Sequence, residues 1–167
     1  LAHPRARFDL VRLGIVVYGI APSAEVPGPP GLQPAMALRA RVSHVKRVAA
    51  GEALSYGRRY RTESETTIAT VPLGYADGVP RRLFAAGGRV LVGGEHRPIA
   101  GTITMDQLLV DCGDLPVAVG DEVVLLGEQG GASISADEWA DRLGTIAYEI
   151  ICGISPRVPR RHREDVS

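Results

Sequence analysis

Residues 89–99 read as a chain folding back on itself. The apolar run Arg89, Val90, Leu91, Val92 meets Gly93 and Gly94, and a second short run over residues 95–99 follows. Adjacent glycines accept the positive φ angles of a tight two-residue turn, so this stretch specifies a β-hairpin. Similar segments lie on both sides. Met36, Leu38, Ala40 and Val42 alternate with Arg39, Arg41 and Ser43, the period-two pattern of a half-buried antiparallel strand. Residues 66–72, 101–105, 108–111 and 121–126 are further short strands bounded by turn residues. Such a succession predicts a mainly β domain, a small barrel or sandwich.

Helical signals come late. Ser135 followed three residues on by Glu138 is a capping box, Trp139, Ala140 and Leu143 form an apolar stripe, and Gly144 is placed to stop the helix. Thr145 is placed to cap a second short helix over residues 146–152, and the basic tail over 157–163 reads as a last strand with a frayed end. At the other end, residues 10–18 form an apolar run broken by Arg12 and Gly14, which reads as a buried strand of the parallel type. The Pro- and Gly-rich stretch 21–31 then marks a linker and a domain boundary.

A formal net charge of zero argues against a nucleic-acid or anionic-membrane surface. No apolar run approaches the roughly 20 residues of a membrane span. Cys112 and Cys152 are isolated, as expected of reduced cytoplasmic thiols, and His3, His44, His96 and His162 show no metal-ligand spacing. With no initiator methionine and no signal peptide, the chain reads as a fragment or a processed product.

Three positions could carry chemistry. Tyr75 sits in the turn Gly74-Tyr75-Ala76-Asp77-Gly78 after an apolar strand, where a phenol projects from a rigid support. The more ordinary reading is a tyrosine filling a barrel mouth. As a base it needs nearby positive charge, since its reference pKa is about 10, and Arg81 and Arg82 are the only cations close in sequence. Met105-Asp106-Gln107 ends another apolar run, where a carboxylate orients a substrate or simply bonds its own backbone. Arg12, inside an apolar strand, requires a partner, either a structural carboxylate or a ligand.

Together these segments resemble the alanine racemase family, fold-type III enzymes dependent on pyridoxal phosphate. The matching stretches are FDLVRLGIVVYG at 8–19, SYG at 55–57, GYADG at 74–78, GTITMDQ at 101–107, and Tyr148, Glu149, Ile154, Ser155, Arg157, Val158, Pro159 and Arg160 near the end. The resemblance implies a (β/α)8 barrel holding the cofactor, followed by a β-rich domain. Residues 1–33 would then be the last barrel strand plus linker, and 34–167 a small antiparallel β-barrel-like domain with one or two short helices. It further implies that Arg12 faces the cofactor's pyridine nitrogen, and that the Gly14 and Ile15 amides help bind its phosphate. Tyr75 would be one of two bases on opposite faces of the substrate α-carbon, and Met105 and Asp106 would lie near the substrate carboxylate. A lysine that also holds the cofactor would be the second base. The implied enzyme is a cytoplasmic homodimer acting on alanine for cell-wall synthesis, with Tyr75 reaching the partner subunit's cofactor.

Three departures stand out. Lys46, the single lysine, sits in an alternating strand far from any cofactor motif and reads as solvent-facing, so the covalent lysine is expected outside this chain, which alone would be inactive. Pro156 stands where some members have a phosphate-binding tyrosine, and Thr102 where some have arginine. Other readings are a fold-type III amino-acid decarboxylase, a broad-specificity racemase, or a non-catalytic β interaction module. Tyr75 and Asp106 together favour the racemase.

Overall fold

The computed structural model describes Arg5 and residues 8–23, 25–26 and 28–162; His3 and Arg163 lie outside them. The chain divides into two compact units, Leu1–Ala37 and Leu38–Ser167.

In the first unit, the expected strand over 10–18 is not formed. Residues 10–14 have no regular structure, and Ile15–Tyr18 is a single 3-10 turn. Leu10, Val11 and Leu13 are exposed, as is Arg12, so the sequence-based premise of a buried guanidinium does not hold. The reason is pairing. A strand must hand its N–H and C=O groups to a neighbour, and the unit's described residues hold only the isolated Ser23–Val26 bridge. The backbone satisfies itself locally instead, with Val17 N–H donating to the Gly14 carbonyl at 3.2 Å. Gly19 closes the turn in the left-handed region, where a Cβ would also collide with the Gln33 carbonyl.

The second unit is antiparallel β with two short helices. In chain order its strands are β1 (Leu38–Arg41), β2 (His44–Val48), β3 (Ala53–Leu54), β4 (Tyr60–Arg61), β5 (Thr66–Val71) and β6 (Arg89–Val92). Then come β7 (Glu95–Pro98), β8 (Leu108–Asp111), β9 (Glu122–Gln129) and β10 (Ala132–Ile134). One sheet runs β1-β9-β6-β7 with β10 also on β9, a second runs β2-β5-β8, and β3-β4 is a separate ribbon. The sheets join where β1 passes into β2: Val42 N–H donates to Asp121 O and Ser43 N–H to Thr70 O, both at 2.9 Å. They meet again where Ile99 bridges Val110. That double connection gives the barrel-like wrap.

Residue patterns explain the strands. Val123, Val124, Leu125 and Leu126 of β9 are all buried, the continuous apolar run of a strand covered on both faces. The glycine hairpin forms as expected, with Val92 opposite Glu95 and both Gly93 and Gly94 at positive φ. Helix α1 (Ala136–Leu143) starts at Ser135, whose hydroxyl accepts the Glu138 N–H at 3.0 Å, and stops at left-handed Gly144. The Glu138 carboxylate bonds Arg89 at 3.0 Å and Arg142 at 3.1 Å, tying the helix to β6. Trp139 is fully buried beneath it.

Several expectations fail locally. Helix α2 (Ala147–Gly153) is preceded by Ile146 at the cap position, and Thr145 bonds the Glu149 side chain rather than the backbone. Residues 101–105 are a loop, closed by Thr104 N–H and hydroxyl both donating to the Gln107 carbonyl. Residues 157–162 of the tail are irregular, because the Arg160 guanidinium caps the carbonyls of Ile154, Ser155 and Val158, each at 2.7 Å. Lys46 is exposed on β2, as expected. No helix among the described residues is long and apolar enough to cross a membrane.

Candidate active site

Strand β5, central between β2 and β8, delivers the chain to the turn that carries Tyr75. Tyr75–Asp77 is a 3-10 turn. Its frame is built on Asp77, whose buried carboxylate accepts the Gly74 N–H at 2.8 Å. The Gly74 carbonyl in turn accepts from Asp77 N–H and Val79 N–H, both at 3.1 Å. Gly78 closes the turn at φ 103, a conformation that costs side-chain-bearing residues dearly.

The same turn is fastened to the 101–107 loop. Tyr75 N–H donates to the Thr104 carbonyl and Ala76 N–H to the Met105 carbonyl, both at 3.0 Å. These bonds bring together Tyr75, Met105 and Asp106, three residues singled out from sequence. All three are exposed, Tyr75 at 42%. Gly74 is required for the approach: a Cβ there would lie 2.3 Å from the Met105 carbonyl oxygen.

Sequence reasoning missed Arg157 as a site residue. Its Nη2 donates to Asp106 Oδ1 at 2.7 Å, and its Nε lies 3.4 Å from Asp77 Oδ1. The hydrogen bond to Asp106 and the charge of Asp77 raise its pKa further above the ordinary arginine value. Ser155 N–H also donates to the Asp77 carbonyl at 3.0 Å, so the C-terminal segment packs on the Tyr75 turn. Pro156, between them, is exposed. Arg157 did appear in a quoted motif, but no local pattern pairs it with a carboxylate 51 residues upstream. Arg81 and Arg82 lie exposed on a separate 3-10 turn.

Behind the loop, Thr102 is buried and donates its hydroxyl to the Tyr56 carbonyl at 3.0 Å. Ser55 donates to the Thr102 carbonyl at 2.6 Å from a backbone at φ 59, ψ −177, a region that glycine alone enters cheaply. Ser55, Tyr56, Thr102, Thr104 and Gln107 line a depression of about 380 Å³. A second tyrosine, Tyr60, is a structural donor: its hydroxyl gives to Asp111 at 2.6 Å. Burial first, then the Asp111 contact, pushes that phenol's pKa up, which keeps it neutral.

Arg12, Gly14 and Ile15 lie in the other unit. Arg12 has no hydrogen-bond or ion-pair partner among the described residues, and neither does the Gly14 N–H. Ile15 is buried. Among the described residues, no group of three or more His, Cys, Asp or Glu is arranged to hold a metal.

Residues 35–162, which contain the Tyr75 turn, the Met105–Asp106 loop and Arg157, match the family model described as alanine racemase, C-terminal domain. This chain belongs to that family. Among relatives, the alanine racemase of Frankia casuarinae is 52% identical over 165 residues, covering 97% of this chain and 42% of its own length. That of Symbiobacterium thermophilum is 51% identical, covering 96% of this chain and 42% of its own. Among solved structures, alanine racemase from Bacillus anthracis with bound L-Ala-P superposes with a TM-score of 0.90 at 46% identity, over 96% of this chain and 41% of that one. Alanine racemase from D-cycloserine-producing Streptomyces lavendulae gives 0.88 at 50%, over 98% and 43%. The chain thus spans about two fifths of the length of the alanine racemases it matches.

Proposed function

We propose that this chain is the C-terminal part of an alanine racemase that interconverts L- and D-alanine, with residues 1–33 ending a cofactor-binding barrel and 34–167 forming the β domain. The observation that carries the reading is the pair of backbone bonds holding the Tyr75 turn against the Met105–Asp106 loop. They hold the Tyr75 phenol and the Met105–Asp106 loop side by side on a rigid frame, which supports a joint role at a substrate and which a plain scaffold would not need.

The residues present fit the phosphate and ring ends of pyridoxal phosphate. Gly14 has an unbonded N–H and Arg12 an unpaired guanidinium among the described residues. When bound, the cofactor supplies an electron sink for the pair left behind on the α-carbon. Arg12 would donate to the ring nitrogen without surrendering its proton, since a guanidinium stays charged. Tyr75 would take or give the proton on one face of the α-carbon through its phenol oxygen, a lysine outside this chain serving the other face. Met105 and Asp106 would border the substrate carboxylate. In this reading Tyr75 works at the cofactor of the other subunit of a cytoplasmic homodimer.

The test is Tyr75→Phe in the full-length protein, followed by α-proton exchange into solvent deuterium from each alanine enantiomer. Exchange from one enantiomer is expected to fall by about 10²–10⁴-fold, the worth of a positioned acid–base group, with the other far less affected. Equal loss from both, or no loss, would remove Tyr75 from its role.

A further inference from the structure

Resting on the reading above, we infer that Arg157 is a positioning residue for alanine, pinning the Met105–Asp106 loop to the Tyr75 turn and cancelling the Asp106 charge before a carboxylate substrate arrives. The geometry is a shared clamp. One guanidinium reaches Asp106 Oδ1 at 2.7 Å and Asp77 Oδ1 at 3.4 Å. Asp77 also holds the Gly74 N–H through its other oxygen, so Arg157 grips the frame of the Tyr75 turn itself. Ser155 N–H on the Asp77 carbonyl and Arg160 on the Ile154, Ser155 and Val158 carbonyls fix the segment from which Arg157 extends.

The charge pattern gives the clamp a purpose. The Asp106 side chain is 63% exposed on the loop assigned to the substrate carboxylate. Two carboxylates approaching there repel, and a fixed cation on the protein's own carboxylate removes that penalty. A planar guanidinium can serve two acceptors through separate N–H groups, which a lysine ammonium on a flexible stem reproduces poorly. A half-exposed pair contributes little to global stability. Its value lies in where it holds the loop.

The experiment uses the full-length protein with Arg157→Ala, Arg157→Lys, Asp106→Asn and the Arg157→Ala/Asp106→Asn double variant. It measures KM and kcat for alanine, and amide hydrogen exchange at Tyr75 and Ala76. Arg157→Ala should raise KM by about three- to tenfold, the effect of one uncompensated charge in a partly screened site, with a smaller change in kcat. Amide exchange at Tyr75 and Ala76 should quicken. Arg157→Lys should fall between Arg157→Ala and wild type and serves if the alanine variant folds poorly. Adding Asp106→Asn to Arg157→Ala should bring KM back toward wild type, because the uncancelled anion is gone. An unchanged KM in Arg157→Ala, or a double variant at least as impaired as that single one, overturns the inference. If the wild-type protein does not turn over alanine, the proposed activity fails and the KM claim with it. The exchange measurement still decides whether Arg157 holds the turn to the loop.

Discussion

Gly74→Ala is the sharpest test of how the site is assembled. The backbone at Gly74, φ −136 and ψ −162, is open to alanine, so the substitution introduces no conformational strain. It introduces only a methyl group. That methyl would sit 2.3 Å from the Met105 carbonyl oxygen and 2.4 Å from the Thr104 oxygen, both backbone atoms with no rotamer to yield. Relief requires the 104–105 loop to retreat by about 1 Å, which stretches the Tyr75–Thr104 and Ala76–Met105 bonds, now 3.0 Å, beyond hydrogen-bonding range. Overpacking costs about 1–3 kcal/mol, and each lost bond adds about 1 kcal/mol, so the loss should be about 3–5 kcal/mol. Trp139, the single tryptophan and fully buried, reports unfolding by fluorescence in a urea titration. The control is Gly153→Ala, whose added methyl meets nothing within 4 Å. There the change should stay within about 1 kcal/mol. If the two variants share a midpoint and slope, the turn and loop are not locked as described.

Two further outcomes follow from other groups. Burial, the largest influence on Asp111, pushes its pKa up, but hydrogen bonds from Thr66, Tyr60 and the Gly113 N–H, with the Arg97 charge, hold it below the usual carboxylate value. A depressed folded-state pKa gives stability that is present above the unfolded value, about 3.9, and lost as pH falls through the folded one. Asp111→Asn should therefore flatten the acid limb of a stability–pH curve below about pH 4, and an unchanged acid limb would contradict the network. Burial pushes the Cys112 thiol up to about 11, whereas Cys152 is exposed. A thiol reagent at pH 8 should label Cys152 at once and Cys112 only on unfolding, with prompt labelling of both refuting the core placement.

Legibility followed the range of the interaction that made each element. The Gly93-Gly94 hairpin and the Ser135–Gly144 helix are specified by residues within a few positions of one another, so their patterns were visible. Of strand β2 only an alternating stretch around Lys46 was legible, without bounds, because Lys46 and Arg47 are both exposed and interrupt the period. Arg47 is held outward by Glu65 at 2.8 Å and Asp114 at 2.7 Å, partners no periodicity announces. The apolar run 101–105 imitates a strand, yet Ile103 is buried in a loop whose hydrogen bonds are internal or go to Tyr75, Ala76, Ser55 and Tyr56. At the site, GYADG and MDQ were legible as motifs, but not the bonds between them. Residues 10–18 read as a strand because they carry a strand's composition, and composition cannot supply a neighbour.

The Arg157 clamp also has a consequence in time. Asp106 leaves the ribosome 51 residues ahead of the arginine that neutralises it, an interval of about 3–10 s at about 5–20 residues per second. Through that interval the nascent chain can form its glycine hairpin and much of its sheet, while the acidic turn and loop lack their counter-charge. A chain ending just before Arg157 would still hold most of the β domain's core, but it would lack the guanidinium that bridges Asp77 and Asp106. Arg157 arrives only after β10 and α1, when every strand of the sheets it fastens has been made.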